Sequence, residues 1–257
     1  DVYGDGPQEV ITAPKKGGGP HVRIFDDRGK LLSEFFAYGA DFHGGVNIAL
    51  GDVNNDGINE IITAPGPGGG PHIKVFDSSG NLLTEFFAYE ASFDGGVNVA
   101  TGDVNNDGVA EIVLAPYSGY APQIKVFDYQ RRLKSSFKAF DAGMTSGINI
   151  SVGDVNSDEW PEIIATPRVN YSPDIKLFSF KGRDKGGFLS YSQYLTTGVE
   201  IVSSDITGDG LPEIITLPNK GGAALLKIYD YNGLEKNSFY LRNPEDKNGY
   251  NFGILSR

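Results

Sequence analysis

Cysteine is absent from the 257 residues, which excludes a disulfide framework, a thiolate metal site and a cysteine nucleophile. Long apolar runs are absent as well, and none approaches the roughly 18 residues that a membrane-spanning helix needs. Positive charge is scarce: 22 basic residues against 33 acidic ones give a net charge of −11, which argues against a nucleic-acid partner. A starting methionine and a signal sequence are missing too, so we expect a trimmed or mature chain.

Glycine and proline, in contrast, are abundant, with 35 and 14 residues. They separate short runs rich in valine, isoleucine, phenylalanine and tyrosine, which is typical of many short β-strands. A hydrophobic content of 39% is too high for a disordered chain. The composition therefore predicts an all-β fold.

The sequence repeats itself every 51 residues. Between Ile11 and Gly51, 27 of 41 positions are identical in the next copy. Five copies account for 255 of the 257 residues and predict a single domain over 1–257. Their boundaries are 1–51, 52–102, 103–153, 154–204 and 205–255.

Each copy contains the pattern of four strands. In one such four-strand unit we predict them at Val46 to Leu50, Glu60 to Ala64, His72 to Phe76 and Leu82 to Tyr89. Four antiparallel strands in about 50 residues, repeated in a ring, are typical of a propeller blade. We therefore predict a five-bladed β-propeller, closed by pairing of the segment 249–255 with the N-terminal strands. A fragment of a longer ring remains the alternative.

Between the first and second strands of each copy lies an acidic loop with the template Asp-x-Asn-x-Asp-Gly-x-x-Glu. Oxygen ligands on alternate residues can converge on one centre, and the glycine permits a sharp turn, which is the logic of a calcium loop. The five loops hold 16 of the 33 acidic residues, and these like charges would repel one another without a cation. We predict up to five Ca²⁺ ions, one per loop; the alternative is that the loops are simple Asx turns. The predicted ligands are Asp1, Asp5, Glu9, Asp52, Asn54, Asp56, Glu60, Asp103, Asn105, Asp107, Glu111, Asp154, Asn156, Asp158, Glu162, Asp205, Thr207, Asp209 and Glu213.

The loops differ in completeness. Loops two and three match the template fully and rank first. Loop five has Thr207 as a weaker ligand, and loop four has Glu159 in place of the glycine, which we expect to distort the turn. Loop one has Tyr3 where an amide is expected, and it ranks last.

These motifs resemble the FG-GAP/VCBS repeats of integrin-alpha-type β-propellers. The resemblance rests on Gly51-Asp-Val-Asn-Asn-Asp-Gly-Ile-Asn-Glu-Ile and Phe93-Asp-Gly-Gly-Val, and the stretch 68–77 resembles bacterial extracellular members. It implies calcium in the inter-strand loops and a secreted or cell-surface protein that acts in adhesion or ligand binding. The implied partner is a protein or glycan at a cell surface or matrix. Integrin-type rings usually have seven blades, from which the five copies here depart.

Other repeated residues have two interpretations each. A basic residue recurs on the third strand of each copy. These residues could form a ring that binds an anionic ligand, but we favour the interpretation that they pair with nearby acids. Recurrent aromatics such as Phe35 and Tyr38 could stack on sugars, although packing between blades is favoured. His21 and His72 suggest a transition metal, but a contact within the hairpin is favoured. Exposed candidates lie where the copies differ, at Tyr117, Tyr120, Trp160, Tyr171 and Lys181 to Gly187.

No serine elbow, phosphate-binding loop or isolated carboxylate pair indicates an enzyme. The departures from symmetry resemble decay of the repeat, so we predict a non-catalytic protein. The leading hypothesis is a calcium-stabilised extracellular module for binding or adhesion. The alternatives are a lectin with one sugar site per blade and a polysaccharide-acting enzyme.

Overall fold

The computed structural model describes residues 1–243 and 245–248, which form 19 strands and no helix. The strands make five antiparallel sheets arranged as the blades of a propeller. Blade one has β1 (Val10–Thr12), β2 (His21–Phe25) and β3 (Leu31–Phe36); blade two has β4 (Val46–Gly51), β5 (Glu60–Pro65), β6 (His72–Phe76) and β7 (Leu82–Phe87). Blade three has β8 (Val97–Gly102), β9 (Glu111–Pro116), β10 (Gln123–Phe127) and β11 (Leu133–Lys138). Blade four has β12 (Ile148–Gly153), β13 (Glu162–Pro167), β14 (Asp174–Phe178) and β15 (Asp184–Leu189); blade five has β16 (Val199–Ser204), β17 (Glu213–Pro218), β18 (Leu225–Tyr229) and β19 (Glu235–Tyr240).

The predicted fold is confirmed: the protein is all-β, with five blades, four of which have four strands. The fourth strand of blade two ends at Phe87, two residues before the predicted end, while its third strand has the predicted bounds. Blade one has three strands. The predicted closure by the segment 249–255 lies outside the described residues. No helix in the part of the chain that the structure describes is long and apolar enough to cross a membrane.

The core lies between neighbouring blades. All six residues of β5, β9, β13 and β17 are buried, because each of these second strands is covered on both faces. One apolar cluster joins Ile62 and Ile73 of blade two to Ile112 and Leu114 of blade three. The outermost strand, in contrast, is solvent-exposed, and every residue of β19 is exposed.

The recurrent aromatics pair one blade with the next, as the packing interpretation predicted. Phe86 of blade two lies against Phe127 of blade three, with 4.9 Å between ring centroids. The equivalent pairs have centroids 4.8 to 5.2 Å apart, and they are Phe35 with Phe76, Phe137 with Phe178, and Phe188 with Tyr229. Gly80 lies beside one of these pairs at φ 81°, where a Cβ would approach the ring of Phe35 to 2.7 Å.

Asparagines on the innermost strands bridge the blades through hydrogen bonds. The side-chain Nδ2 atoms of Asn47, Asn98 and Asn149 donate to the backbone carbonyls of Val97, Ile148 and Val199, at 2.7, 2.6 and 2.7 Å. Each bond joins residues 50 positions apart. The repeat length therefore sets the contacts between blades.

Candidate metal centre in the acidic loops

In blades two to five the acidic loop connects the first strand to the second and its glutamate opens that second strand, while in blade one Glu9 directly precedes β1. Between β4 and β5, for example, the loop runs from Asp52 to the first residue of β5, Glu60. The strand is buried on both faces, so its first side chain is carried into the base of the loop. All five loop glutamates are buried, with no more than 5% of their surface exposed; they are Glu9, Glu60, Glu111, Glu162 and Glu213.

The first aspartate of the loop hydrogen-bonds the loop's own backbone. The two carboxylate oxygens of Asp52 accept hydrogen bonds from the N–H groups of Asp56 and Gly57, at 3.1 and 2.9 Å. Asp103 accepts the corresponding bonds in loop three, at 3.0 and 2.8 Å. This is the turn-forming role of an Asx residue. The turn interpretation therefore accounts for the first aspartate. The buried glutamate also bonds the loop backbone, since Glu60 Oε2 accepts from the N–H of Val53 at 3.1 Å, and its other oxygen, Oε1, faces the side chains of the loop.

The remaining polar side chains of loop two meet at one point. Asn54 Nδ2 lies 2.9 Å from Asp56 Oδ2 and 2.8 Å from Glu60 Oε1. The Oδ1 atom of Asn54 is buried with no hydrogen-bond partner among the described residues. Rotation of the amide exchanges its nitrogen and oxygen, so this side chain can also present oxygen to the two carboxylates. An all-oxygen cluster of this kind suits a hard cation such as Ca²⁺.

The carboxyl groups at the base of loops two and three resist ionisation. Burial, together with the charges of Asp56 and Asp52, raises the pKa of Glu60 to about 7. Burial and the charges of Asp107 and Asp103 do the same to Glu111. The Oε2 atom of Glu111 is buried without a hydrogen-bond partner in the described part of the chain. A buried carboxylate beside like charges requires either a proton or a cation.

Loop one, which ranked last by sequence, brings three carboxylates together. One oxygen each from Asp1, Asp5 and Glu9 lie within 4.8 Å of one another. The backbone N–H of Val2 donates to Glu9 at 2.9 Å. Tyr3 supplies no amide between the acids; its hydroxyl is directed at the carbonyl of Ser78 in the next blade, 3.5 Å away. The carboxylates therefore face one another without an intervening donor.

Loop four contains an ammonium group. Nζ of Lys185, on β15, lies 2.8 Å from Asp158 Oδ2 and 2.6 Å from Glu162 Oε1. The hydrogen bond from Lys185 is the main cause that keeps the pKa of Asp158 below its usual range. Burial alone would lower the pKa of Lys185, but its bonds to both carboxylates outweigh burial and raise it. An ammonium of the same blade thus offsets part of the negative charge of loop four, although burial still raises the pKa of Glu162.

Glu159 occupies the position at which loops two and three have Gly57 and Gly108. Its φ is 66°, in the left-handed region, and those of the glycines are 86° and 89°. Its N–H donates to Asp154 at 3.0 Å, as the N–H of Gly57 does to Asp52. The expected distortion of the turn is absent: the turn keeps its form, and the strain falls on the backbone of a residue with a Cβ.

Loop five uses a hydroxyl where the other loops use an amide. Thr207 Oγ1 lies 3.1 Å from Glu213 Oε1. Asp205 accepts hydrogen bonds from Gly208 and Gly210, and these bonds are the main reason that its pKa is lowered. A hydroxyl is a weaker metal ligand than an amide oxygen, so loop five has a less favourable ligand set for a cation than loops two and three.

The basic residues of the third strands contact the preceding blade. The Nζ atoms of Lys74, Lys125, Lys176 and Lys227 lie 4.6 to 5.4 Å from the ring centroids of Tyr38, Tyr89, Phe140 and Tyr191. Lys74 also approaches Glu85 at 3.7 Å, and Arg23 approaches Glu34 at 3.2 Å. These contacts support the interpretation that the basic ring is structural. His21 and His72 likewise stack on the cross-strand rings of Phe36 and Phe87, both at 4.8 Å.

A groove that sequence reasoning did not find lies beside loop four, at the junction of blades three and four. It has a volume of about 350 Å³ and is lined by Val104, Asn105, Trp160, Pro161, Phe180 and Lys181 among others. Trp160 is 50% exposed, and Lys181 Nζ lies 4.2 Å from the ring centroid of Phe180. The signal was present in the sequence, because both Trp160 and the segment 181–187 break the repeat. Only the fold shows that they meet.

A second groove lies at the next junction, between blades four and five. Its volume is about 250 Å³, and its lining includes Val155, Asn156, Leu211, Pro212 and Tyr231. These positions are 51 residues beyond those of the first groove. The groove is therefore a feature of the repeat, and the tryptophan distinguishes the copy between blades three and four.

Comparison with known proteins agrees with the fold. Residues 52–114 match the model of the FG-GAP-like repeat family. No curated protein matches the chain. The matched segment spans loops two and three, and the same loop and strand arrangement recurs in the other blades. The chain is thus a β-propeller in which residues 52–114 match the FG-GAP-like repeat.

Solved structures share the propeller at low identity. The biofilm matrix protein Bap1 of V. cholerae is 19% identical over 97% of this chain and 39% of its own, with a TM-score of 0.52. Virginiamycin B lyase from Staphylococcus aureus is 11% identical over 93% of this chain and 77% of its own, with a TM-score of 0.60. A rhamnogalacturonan lyase of Bacillus licheniformis is 16% identical over 90% of this chain and 47% of its own, with a TM-score of 0.53. The chain thus spans less than half the length of Bap1 and of the rhamnogalacturonan lyase.

These neighbours correct one prediction. We predicted a non-catalytic protein from the repeat symmetry and the absence of catalytic motifs, and that exclusion is wrong. Two of the neighbours are lyases, so this fold is compatible with catalysis. At these identities the likeness shows the fold alone. The departures from symmetry also do not resemble decay, because several of them meet at the groove beside loop four.

Proposed function

We propose that this propeller is a calcium-binding extracellular module that acts in binding or adhesion. The observation that carries the proposal is the buried glutamate at the base of every loop, placed among further acids. Within the described residues, loops one, two and three form no ion pair with a lysine or arginine. A divalent cation would neutralise them with the oxygen ligands that it prefers.

The chemistry assigned to the cation is structural. When bound, calcium would link the loop to the second strand of its blade and remove the repulsion between the acids. In loop two the ligand candidates are Asp52, Asn54, Asp56 and Glu60, and in loop one they are Asp1, Asp5 and Glu9. Extracellular calcium modules bind with a Kd of about 10⁻⁴ to 10⁻³ M. At about 1 mM calcium, each occupied site then stabilises the fold by about 0.4 to 1.4 kcal/mol.

The adhesive and extracellular parts of the proposal are supported by analogy. Bap1 is a biofilm matrix protein, and nearly the whole of the present chain superposes on part of it. We infer a protein or glycan partner at a cell surface or matrix.

The calcium proposal is tested by equilibrium dialysis and thermal unfolding. We expect calcium to bind, chelation to lower the melting temperature by several degrees, and calcium but not magnesium to restore it. Asp56→Asn should remove one site. Asp27→Asn is the matched control, since Asp27 is an exposed acid outside the loops. A chain that binds no calcium and melts identically in chelator would refute the proposal.

A lectin is the second candidate, and the grooves favour it. They recur at two successive blade junctions, and an exposed tryptophan beside an aromatic ring is a surface on which a sugar can stack. Trp160 is the single tryptophan of the chain, so its fluorescence reports on this groove alone. We expect a bound oligosaccharide to shift its emission and Trp160→Leu, the residue of the next groove, to weaken binding. Unchanged emission across a panel of neutral and acidic oligosaccharides would exclude a sugar site there.

A further inference from the structure

Lys185, on the hairpin of β14 and β15, faces loop four. In each blade the pairing of the third and fourth strands shifts by one residue, which leaves one extra residue in the fourth strand. In blade four, Phe178 pairs with Asp184 and Leu177 pairs with Gly186, so Lys185 is the extra residue. Such β-bulges commonly redirect a side chain. Here the bulge carries Lys185 to the acids of loop four.

The bulge position recurs in every blade but not with the same residue. It is occupied by Leu32, Leu83, Lys134, Lys185 and Lys236 in blades one to five. In blades one and two it is therefore a leucine, which cannot neutralise an acid. In blade three Lys134 Nζ lies 3.9 Å from Asp128, a residue of the turn outside the loop. Only for Lys185, among the described residues, does an ion pair join this position to its loop.

We infer that Lys185 serves as the built-in cation of loop four, which therefore takes no divalent ion. Its Nζ lies within 2.8 Å of one oxygen from each of two loop acids, where a metal would need those same oxygens. The partner Glu162 is 0% exposed, so the pair is held at the base of the loop. An ammonium and a calcium ion cannot occupy this space together. The chain would thus compensate the charge of its loops in two ways, with a divalent cation in some loops and with a lysine in loop four.

The inference lowers the number of calcium ions expected per chain. Loop four resembles its complete neighbours in sequence, with Asp154, Asn156, Asp158 and Glu162 all present. Counting ligands in the sequence therefore overstates the number of sites by one. A lysine 23 residues beyond the glutamate decides the outcome, and no motif confined to the loop records it. This inference deepens the calcium proposal, and its metal-binding part rests on that proposal.

The test compares Lys185→Leu with Lys185→Arg in the full chain. Leucine restores the residue of blades one and two, and arginine keeps the charge. With calcium alone as the probe in equilibrium dialysis, we expect Lys185→Leu to bind one more ion per chain than the wild type and Lys185→Arg to bind the same number. Equal stoichiometry in the wild type and Lys185→Leu, with calcium bound by both, would overturn the inference.

A second variant tests the inference without altering the ion pair of Lys185, so misfolding of Lys185→Leu does not affect it. Leu83→Lys places a lysine at the bulge of blade two, and it should remove one calcium ion from the wild-type number. An unchanged number for this variant contradicts the inference as well.

A measurement in chelator separates this inference from the calcium proposal. Removal of one partner from a buried ion pair leaves an uncompensated charge, so Lys185→Leu should melt at least ~5 °C below Lys185→Arg without calcium. If the wild type binds no calcium, the calcium proposal fails, but this difference still supports the role of Lys185 as counter-ion. Equal melting of the two variants in chelator would refute that role.

Discussion

The buried glutamates of loops two and three predict that calcium reverses the pH dependence of stability. In the absence of a cation, burial and nearby acids raise the pKa of Glu60 and Glu111 to about 7, from an ordinary value of 4.5. Between these two values the folded chain keeps protons that the unfolded chain has released. The free energy of unfolding therefore falls as pH rises from about 4.5 to 7. Each glutamate contributes at most about 1.4 kcal/mol per pH unit, and the two together at most about 2.7.

Calcium changes the sign because ligating carboxylates must be ionised. With about 1 mM calcium, the stabilisation by the cation should grow through the same pH range in which the apo protein loses stability. Below about pH 4.5 the carboxylates are protonated in both states and calcium should have no effect through them. The comparison therefore tests whether loops two and three bind the cation through these two groups.

The assay is urea unfolding at several pH values between 5 and 7.5, in chelator and in calcium. Glu60→Gln combined with Glu111→Gln is the reference, because glutamine resembles the protonated acid and does not titrate. His72 titrates in the same range with the opposite sign, since burial lowers its pKa, and the difference between the two proteins cancels this contribution. In chelator, the stability of the wild type relative to the variant should fall with rising pH, and in calcium it should rise. Parallel curves for the two proteins in chelator would refute the reasoning.

Two further predictions concern the blades. Phe86→Ala should lower the free energy of unfolding by about 2 to 3 kcal/mol, because the partly buried ring packs against Phe127 of the next blade. Phe87→Ala is the control, with 56% of the residue exposed and an expected loss below about 1 kcal/mol by urea unfolding. Glu159→Gly should raise the free energy of unfolding by about 0.5 to 1 kcal/mol, because glycine adopts the left-handed backbone without strain. A loss of stability on this change would show that the side chain of Glu159 has a favourable contact.

The repeat made the fold predictable from the sequence. A fixed spacing of 51 residues means that every contact between two blades is made again by the next pair, so the recurring aromatics could be assigned to blade packing. The structure shows this contact between Phe86 and Phe127 and its equivalents. The ends of the strands were less predictable than their existence, and the fourth strand of blade two ends two residues earlier than predicted. Ends depend on local turns rather than on the repeated core.

The state of the individual loops was not predictable in the same way. Ligand counting ranked loop one last because Tyr3 replaces an amide. The amide, however, is the group that separates the acids in loop two, and without it the carboxylates of loop one lie within 4.8 Å of one another. In loop four the deciding residue, Lys185, comes from another hairpin. The sequence of a loop does not show which side chain of another hairpin will contact it in the fold.

Three departures from the repeat lie close together in blade four. Lys185 pairs with two acids of the loop, Glu159 occupies the turn position that is a glycine in loops two and three, and Trp160 lines the groove beside them. On the inference that Lys185 takes the place of an ion in loop four, the wall that carries Trp160 should keep its shape in the presence and absence of calcium. A binding surface benefits from this rigidity, because less ordering is needed when the ligand arrives. The groove between blades three and four is therefore the place at which to search for a ligand or an activity specific to this propeller.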